Sequence, residues 1–386
     1  MQPAFWLHFG CTEYSKNGAK QYKTGQNQLL EKPYKSTGKI DTARDSVNRR
    51  FTVAPMMDWS DRHCRYFWRQ LSQHAVLYTE MITTGAILHA GPERFLPFHQ
   101  HENPLALQLG GSNPQDLGRC AKIAEDWGYD EVNLNCGCPS DRVQNGMFGA
   151  CLMAQPQLVA DCIKSMQDNC SIPVTVKHRI GIDDMEDYRD MVAFVEPIAA
   201  TGCKTFIVHA RKAWLQGLSP KENREIPPLQ YDMVYRLKKD FPDLEIILNG
   251  GLVDLASCDA PLQQVDGVML GRAAYQNPYV LAEVDQRFYN SDAPVKSREQ
   301  VLLDFFPYIE QQLSAGAHLN YITRHILGLF QGQPGAKLFR RYISQNAHLK
   351  GAGIEVLQQA LQLIVDERER AEQYHNDRLQ ELSQQS

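Results

Sequence analysis

The chain has 386 residues, of which 43% are hydrophobic and 22% are charged, so it is too long for a mini-protein and too apolar to be disordered throughout. Forty Lys and Arg against 45 Asp and Glu give a net charge of −5, which argues against a uniformly cationic nucleic-acid binder but allows a local basic patch. No apolar run approaches the roughly 18 residues that span a bilayer, and the opening MQPAFWLHFG does not have the pattern of a signal peptide. We therefore expect a cytoplasmic protein without a membrane segment.

Ten cysteines are scattered through apolar stretches, which is typical of reduced thiols in the cytoplasm. Cys136 and Cys138 are separated by one residue, but no CxxC or HxxxH pair supplies the remaining ligands of a tetrahedral zinc site. We expect no metal.

Residues 1–50 are rich in Gly, Ser, Lys, Gln and Asn, with nine basic residues against four acidic ones. This composition predicts a flexible N-terminal extension, although a wrongly assigned start codon would look the same.

From Phe51 onwards, short apolar runs alternate with longer amphipathic stretches that carry helix signals, such as Asn113 followed by Pro114. Alternation of buried strands with helices predicts parallel βαβ units, and eight of them favour a closed (β/α)8 TIM barrel over residues 51–290. The eight runs are Phe51–Ala54, Ala75–Thr79, Leu105–Leu109, Glu131–Asn135, Val174–Lys177, Thr205–His209, Glu245–Leu248 and Gly267–Leu270.

Polar or special residues follow nearly every run, at the strand ends where such a barrel carries its chemistry. In chain order they are Pro55, Met56 and Met57; Glu80; Gln108; Asn133, Asn135 and Cys138; Lys177 and Arg179; His209 and Arg211; Asn249, Gly250 and Gly251; and Gly271 with Arg272.

Two late glycine turns, Asn249 to Gly251 and Gly271 with Arg272, stand where barrels of this type commonly bind phosphate. Glycine lets backbone N–H groups approach phosphate oxygens, and an arginine adds charge-assisted hydrogen bonds. The alternative is a pair of ordinary tight turns.

Lys177, His209 and Gln108 could serve an electron-rich cofactor such as a reduced flavin, because a buried lysine is costly without an anionic partner. A structural ion pair and a core histidine are the alternatives. Cys138 stands in a loop between Gly137 and Pro139, where a thiol can act as nucleophile, as general acid or not at all.

A polar stretch over residues 289–296 reads as a linker, and the helical spacing of residues 297–386 predicts a small all-helical domain. Residues 321–350 contain five basic residues and no acidic ones, whereas residues 351–386 carry seven acidic and three basic ones. The basic segment is a solvated helix surface or a phosphate-binding face.

Six segments follow in order along the chain: APMMDWSDRHCR, LNCGCPSDRVQNGMFGACLM, VKHRIG, VHAR, LNGG and GVMLGRAAYQNP. In these segments the chain resembles the tRNA-dihydrouridine synthases, and the resemblance runs from about residue 51 through the helical tail. Two further segments, GLSPKENREIPPL from Gly217 and ITRHILGLFQGQPGAKLFRRY from Ile322, resemble the A subfamily, which acts on D-loop uridines 20 and 20a. Met57 and Ser60 depart conservatively from the usual APMLDWTDRH.

The resemblance implies a role for each strand-end residue. The catalytic cysteine of the family lies in a segment that here reads NCGCPS, from Asn135 to Ser140, and it falls on Cys138. The resemblance also implies an FMN cofactor that NADPH would reduce. FMN would be held by Pro55, Met56, Met57, Gln108, Lys177, His209, Asn249, Gly250, Gly251, Gly271 and Arg272. Family contacts to tRNA would fall on Asn135, Lys221, Arg224, Lys337 and Arg340.

The implied reaction is reduction of uridine to 5,6-dihydrouridine in the D-loop of tRNA. Reduced FMN would deliver hydride to C6 and Cys138 would give a proton to C5, without a metal and with the protein as a monomer. Two alternatives remain. A TIM-barrel flavin reductase of a free small molecule would leave the basic tail idle, and a non-catalytic tRNA-binding protein would be signalled by a missing thiol or a broken glycine turn.

Overall fold

Parallel strands close into a barrel in the computed structural model, which describes residues 47–140 and 146–384. The strands are β1 Phe51–Val53, β2 Val76–Tyr78, β3 Ile82–Thr83, β4 Leu105–Gly110, β5 Glu131–Cys136, β6 Val174–Arg179, β7 Thr205–His209, β8 Glu245–Asn249 and β9 Gly267–Leu270. Their hydrogen-bonded order is β2-β1-β9-β8-β7-β6-β5-β4-β3, and a pairing of β2 with β4 closes the ring. β3 pairs only with the carboxyl end of β4, so the ring itself has the eight predicted strands. The TIM barrel is confirmed.

Helices cover the barrel and form the C-terminal region, as predicted. The helix Pro114–Asp126 begins where the sequence indicated, because the Asn113 side chain accepts a hydrogen bond from the backbone N–H of Asp116 and Pro114 takes the first helical position. The α-helices are Arg62–Leu71, Thr84–Ala90, Pro92–Phe95, Pro114–Asp126, Pro156–Asn169, Tyr188–Ala200, Tyr231–Asp240, Ala256–Asp259, Arg272–Gln276, Val284–Tyr289, Arg298–Ser314, Leu319–Thr323, Ala336–Asn346 and Glu355–Gln384. Short 3-10 helices are Gln100–Glu102, Gly149–Ala154, Glu222–Arg224, Pro261–Gln263 and Pro278–Leu281. Within the described residues, no helix has the length and apolar character needed to cross a bilayer.

The strands bury both faces, and alternate residues serve two different cores. Residues such as Leu105 and Leu107 belong to the large core between the barrel and its helices. Ala106, which lies between them, belongs to a smaller separate core. Because side chains alternate across a strand, the smaller core fills the inside of the barrel. Its members are Ala54, Val76, Tyr78, Ala106, Ile207, Ile247 and Met269.

A buried charged cluster lies at the amino-terminal end of the barrel interior. Glu131 accepts hydrogen bonds from Arg49 Nε (2.6 Å), Tyr78 Oη (2.8 Å) and Thr175 Oγ1 (2.5 Å). Arg49 also pairs with Glu245 at 3.0 Å. The sequence-based boundary assigned Arg49 and its neighbour to the N-terminal extension, but Arg49 is only 6% exposed and is part of the barrel. The extension up to residue 46 lies outside the described residues.

We expect Glu131→Ala to lower the free energy of unfolding by about 3–5 kcal/mol, because it leaves a buried arginine with an incomplete partner set and two hydroxyl groups without their acceptor. Urea denaturation followed by circular dichroism measures the effect. Asp168→Ala is the matched control: it removes a carboxylate from the exposed ion pair with Lys164, for which we expect less than about 1 kcal/mol. Equal shifts in the two variants would contradict the assignment of a buried cluster.

The first barrel helix is tied to the C-terminal helices through Asp61. One carboxylate oxygen of Asp61 caps the helix Arg62–Leu71 by accepting from the backbone N–H groups of His63 and Cys64. The other oxygen accepts from Arg324 at 2.7 Å and lies 3.0 Å from Nε2 of His325. The contact fixes the helical region beside the carboxyl ends of the strands.

Candidate active site

A ladder of amides crosses the barrel interior near its carboxyl end. Asn133 and Asn135 follow Glu131 at intervals of two on β5, so all three side chains lie on the inner face. Nε2 of Gln108 donates to Oδ1 of Asn133 at 2.8 Å, and Nδ2 of Asn135 donates to Oε1 of Gln108 at 2.8 Å. Asn133 donates in turn to Thr175 Oγ1 at 2.8 Å. These bonds hold the predicted site residues Gln108 and Asn135 in one orientation.

Asn135 also shapes the loop that carries Cys138. Its Oδ1 accepts from the backbone N–H groups of Gly137 and Cys138, both at 3.0 Å. The Cys138 thiol is partly exposed and lies 3.5 Å from the Ser140 hydroxyl. By contrast, Cys136 is fully buried, and burial raises the pKa of its thiol well above the ordinary value. Of these two neighbouring thiols, Cys138 is therefore the one that a ligand can reach.

Lys177 lies beside this loop, because Asn135 on β5 and Lys177 on β6 are paired in register. Its Nζ donates to Oδ1 of Asn249 at 3.0 Å, and among the described residues it forms no ion pair with a carboxylate. Burial, aided by the neighbouring Arg179, lowers the pKa of Lys177 to about 7. An anionic ligand would stabilise the charged form of such a lysine, and the role of Lys177 toward a cofactor stays a prediction.

Gly250 and Gly251 adopt positive φ angles of 107° and 73°. A Cβ atom at Gly250 would lie 2.5 Å from the His209 ring, and one at Gly251 would lie 2.4 Å from a Leu229 methyl group. The turn therefore accepts only glycine on both steric and conformational grounds. Asn249, which precedes it, is held by a hydrogen bond from its Nδ2 to the Met269 carbonyl.

His209 ends β7 directly beside the glycine turn. Burial, together with the positive charges of Arg179 and Lys177, holds the pKa of His209 well below its usual range. Its imidazole is neutral at physiological pH and offers one donor and one acceptor.

The remaining predicted FMN contacts come from the loops after β1 and β9. Met56 is fixed by reciprocal hydrogen bonds with Ser60, while Met57 is 56% exposed. Pro55 precedes them at the end of β1, and Gly271 lies beside Ala54 across the β1–β9 pair. Arg272, which the sequence predicted as a phosphate ligand, forms an ion pair with Glu225 at 2.6 Å.

Arg179 is a residue to which the sequence assigned no role. It is 3% exposed and donates to the carbonyls of Gly137 (3.1 Å), Lys212 (3.1 Å) and Asn223 (2.7 Å). These bonds tie the Cys138 loop to the loop after β7. Arg179 lies in the VKHRIG motif, so the sequence did mark this residue. The three carbonyl groups to which it donates are distant in sequence, so its structural role could not be predicted.

Predicted RNA-contacting residues lie in two places. Lys221 and Arg224 are exposed in the loop after β7. Lys337 and Arg340 line a groove of about 1210 Å³ between the barrel and the C-terminal helices, together with Trp59, Tyr275 and Arg324. In the part of the chain that the structure describes, no group of three His, Cys, Asp or Glu residues could hold a metal.

A family model described as dihydrouridine synthase (Dus) matches residues 52–365. The chain belongs to the dihydrouridine synthase family. The chain is similar to proteins named tRNA-dihydrouridine(20/20a) synthase in three bacteria. Identity is 61% for the Vibrio vulnificus protein (82% of this chain and 98% of that protein), 60% for the Shewanella oneidensis one (83% and 95%) and 59% for the Escherichia coli K12 one (83% and 92%).

Membership in the dihydrouridine synthase family confirms the resemblance and makes the chain an oxidoreductase, as predicted. The matched residues include every predicted site residue, from Pro55 to Arg340, and exclude the N-terminal extension. The individual residue roles and the monomeric state stay predictions.

Proposed function

We propose that the chain reduces uridines 20 and 20a in the D-loop of tRNA to 5,6-dihydrouridine in the cytoplasm, with FMN as cofactor and NADPH as reductant. The similar bacterial proteins carry the name of that activity. The observation that carries the proposal is the proximity of two groups at one barrel mouth: a partly exposed thiol, Cys138, in the loop after β5, and Lys177 on β6, which has no carboxylate partner among the described residues. The register pair of Asn135 with Lys177 brings them together.

The mouth suits FMN on two grounds. Lys177 lacks an anionic partner among the described residues, and the turn at Gly250 and Gly251, both with positive φ, keeps its backbone accessible, where N–H groups can approach a phosphate. Pro55, Met56, Met57, Gln108, Lys177, His209, Asn249, Gly250, Gly251, Gly271 and Arg272 would hold the cofactor. When bound, FMN would supply the hydride for uracil C6, with NADPH as the source of its electrons.

The chain's own residues then position the base and move a proton. Cys138 would hold the proton that is transferred to C5, because its thiol is accessible and its loop is fixed by Asn135. Lys177 would stabilise negative charge at the mouth, and Gln108 keeps one amide hydrogen available beyond its bond to Asn133. Arg272 would exchange its contact with Glu225 for one with phosphate.

Cationic side chains outside the mouth would hold the RNA. A uridine stacked in folded tRNA is out of reach, so it must be splayed out into the barrel. Lys221 and Arg224 would contact the RNA backbone near the mouth, while Lys337 and Arg340 would contact it along the groove.

We expect the double variant Lys337→Ala and Arg340→Ala to bind tRNA more weakly and with less salt dependence, because each lost phosphate contact removes about 0.9 from the slope of log K against log salt. Filter binding across a salt titration measures both effects. Lys122→Ala with Lys164→Ala on the outer helices is the matched control of equal charge. An unchanged slope in the groove variant would contradict the proposed contacts.

The proposed substrate class is tested by NADPH consumption. We expect the purified protein to be yellow and its NADPH oxidation to be coupled to product when tRNA lacking dihydrouridine is present, but not with free uridine, uracil or an enone. Faster reduction of one of these small molecules than of tRNA would support the small-molecule reductase instead. A colourless protein that binds tRNA without oxidising NADPH would support the binding protein.

A further inference from the structure

We propose that Trp59, stacked on Tyr275, is a stacking site for a tRNA base that flanks the reduced uridine. The inference rests on the proposed function and adds a recognition residue outside the barrel mouth. No role was assigned to either ring from the sequence, although both lie in motifs that resemble the family.

The two rings form one aromatic platform. Trp59 follows β1 and Tyr275 lies in the helix after β9, and these strands are neighbours in the barrel. Their ring centroids are 4.4 Å apart with an angle of 10° between the planes. The Tyr275 ring also forms an edge-to-face contact with the His325 ring, with centroids 5.7 Å apart. Trp59 is partly exposed, and among the described residues no second ring or cation packs against it.

The platform lies in the same groove as four cationic side chains, Arg324, Lys337, Arg340 and Arg370. Arg324 pairs with Asp61, whereas Lys337 and Arg340 form no ion pair among the described residues. Glu367 also lines the groove, but it pairs with Arg370 at 3.1 Å. Aromatic rings beside cations match a nucleic acid strand, whose bases stack while its phosphates are neutralised. An acidic peptide would match the cations but would gain little from a flat ring surface.

The groove is preformed. Its barrel side and its helical side are joined by the bonds of Arg324 and His325 to Asp61, and the His325 side chain is fully buried. Gly328 packs so closely on the Gln276 carbonyl that a Cβ atom would lie 2.2 Å from the oxygen. A rigid platform binds a base without the cost of ordering the rings.

The base on Trp59 is distinct from the target. The target uridine must reach Cys138 and Lys177 inside the mouth, whereas Trp59 lines the groove outside it. A flanking base that stacks equally in the ground and transition states contributes uniform binding. Loss of the stack should therefore raise KM and Kd while leaving kcat nearly unchanged.

The test compares Trp59→Leu with Trp59→Phe, using tRNA that lacks dihydrouridine. We expect Trp59→Leu to raise Kd and KM about tenfold or more, and Trp59→Phe to stay within about threefold of wild type, because phenylalanine retains a stacking face. Flavin absorbance confirms that each variant keeps its cofactor. Tryptophan fluorescence should be quenched by tRNA in the wild-type protein and less so in Trp59→Phe.

Either of two results overturns the inference. One is a Trp59→Leu variant with wild-type Kd and KM, and the other is a Trp59→Phe variant as weak as Trp59→Leu. Failure of the proposed function looks different: wild-type protein would bind tRNA in a Trp59-dependent way yet form no dihydrouridine. If wild-type protein forms dihydrouridine and Trp59→Leu leaves Kd and KM unchanged, the stacking site alone is refuted.

Discussion

Replacing Cys138 with alanine should lower the rate of dihydrouridine formation by about 10²- to 10⁴-fold, the usual contribution of a positioned general acid. The thiol is accessible at the mouth. The loop is held through the backbone N–H of Cys138, which donates to Asn135, and this bond does not involve the thiol. The alanine variant should therefore keep its loop geometry, its flavin and its affinity for tRNA. Nucleoside mass spectrometry under single-turnover conditions measures the rate.

Cys151→Ala is the control for this variant. Cys151 is also partly exposed and belongs to the same segment, but burial raises the pKa of its thiol and its Sγ contacts the Phe148 carbonyl. We expect it to retain near wild-type turnover. Wild-type turnover by Cys138→Ala would refute the proton-donor assignment, and loss of flavin from that variant would point to a structural role for the loop.

Replacing Lys177 with methionine should weaken FMN binding about tenfold or more, because a charge-assisted contact in a buried site is lost. The effect has a pH signature. Without ligand the pKa of Lys177 is about 7, and an anionic ligand favours the charged form, so binding takes up a proton above pH 7. The affinity of the wild-type protein for FMN should therefore be highest below pH 7 and should fall as the pH rises.

Quenching of flavin fluorescence by apoprotein, titrated between pH 6.5 and 9, tests both parts. Lys177→Met retains the titration of the flavin itself, so the difference between the two curves isolates the lysine. Lys204→Met is the matched control, since Lys204 is exposed immediately before β7, at the opposite end of the barrel. Parallel pH curves for wild type and Lys177→Met would contradict the role of Lys177.

The barrel could be predicted from sequence because each strand is a short apolar run with a special residue at its end. The predicted run Val174–Lys177 was only two residues short, since β6 continues to Arg179. The strand Ile82–Thr83 was missed, because two residues carry no periodicity. Parallel strands end at one face, so the candidate site residues after them could also be expected to converge.

Partners that are distant in sequence could not be predicted. The extension boundary was misplaced because Arg49 resembles the basic residues before it, whereas its partners Glu131 and Glu245 come from β5 and β8. The contact of Arg272 with Glu225 and the stacking of Trp59 on Tyr275 likewise depend on how loops meet after folding. The motifs indicate that these segments matter, but they do not show which side chains of different segments contact each other in the folded chain.

A map of the product along the tRNA decides whether the chain reduces D-loop uridines. Purified protein is mixed with NADPH and tRNA from cells that lack dihydrouridine, and nuclease fragments are then analysed by mass spectrometry. We expect a gain of two hydrogen atoms at D-loop positions 20 and 20a. A yellow, NADPH-oxidising protein that leaves every tRNA fragment unchanged would contradict it.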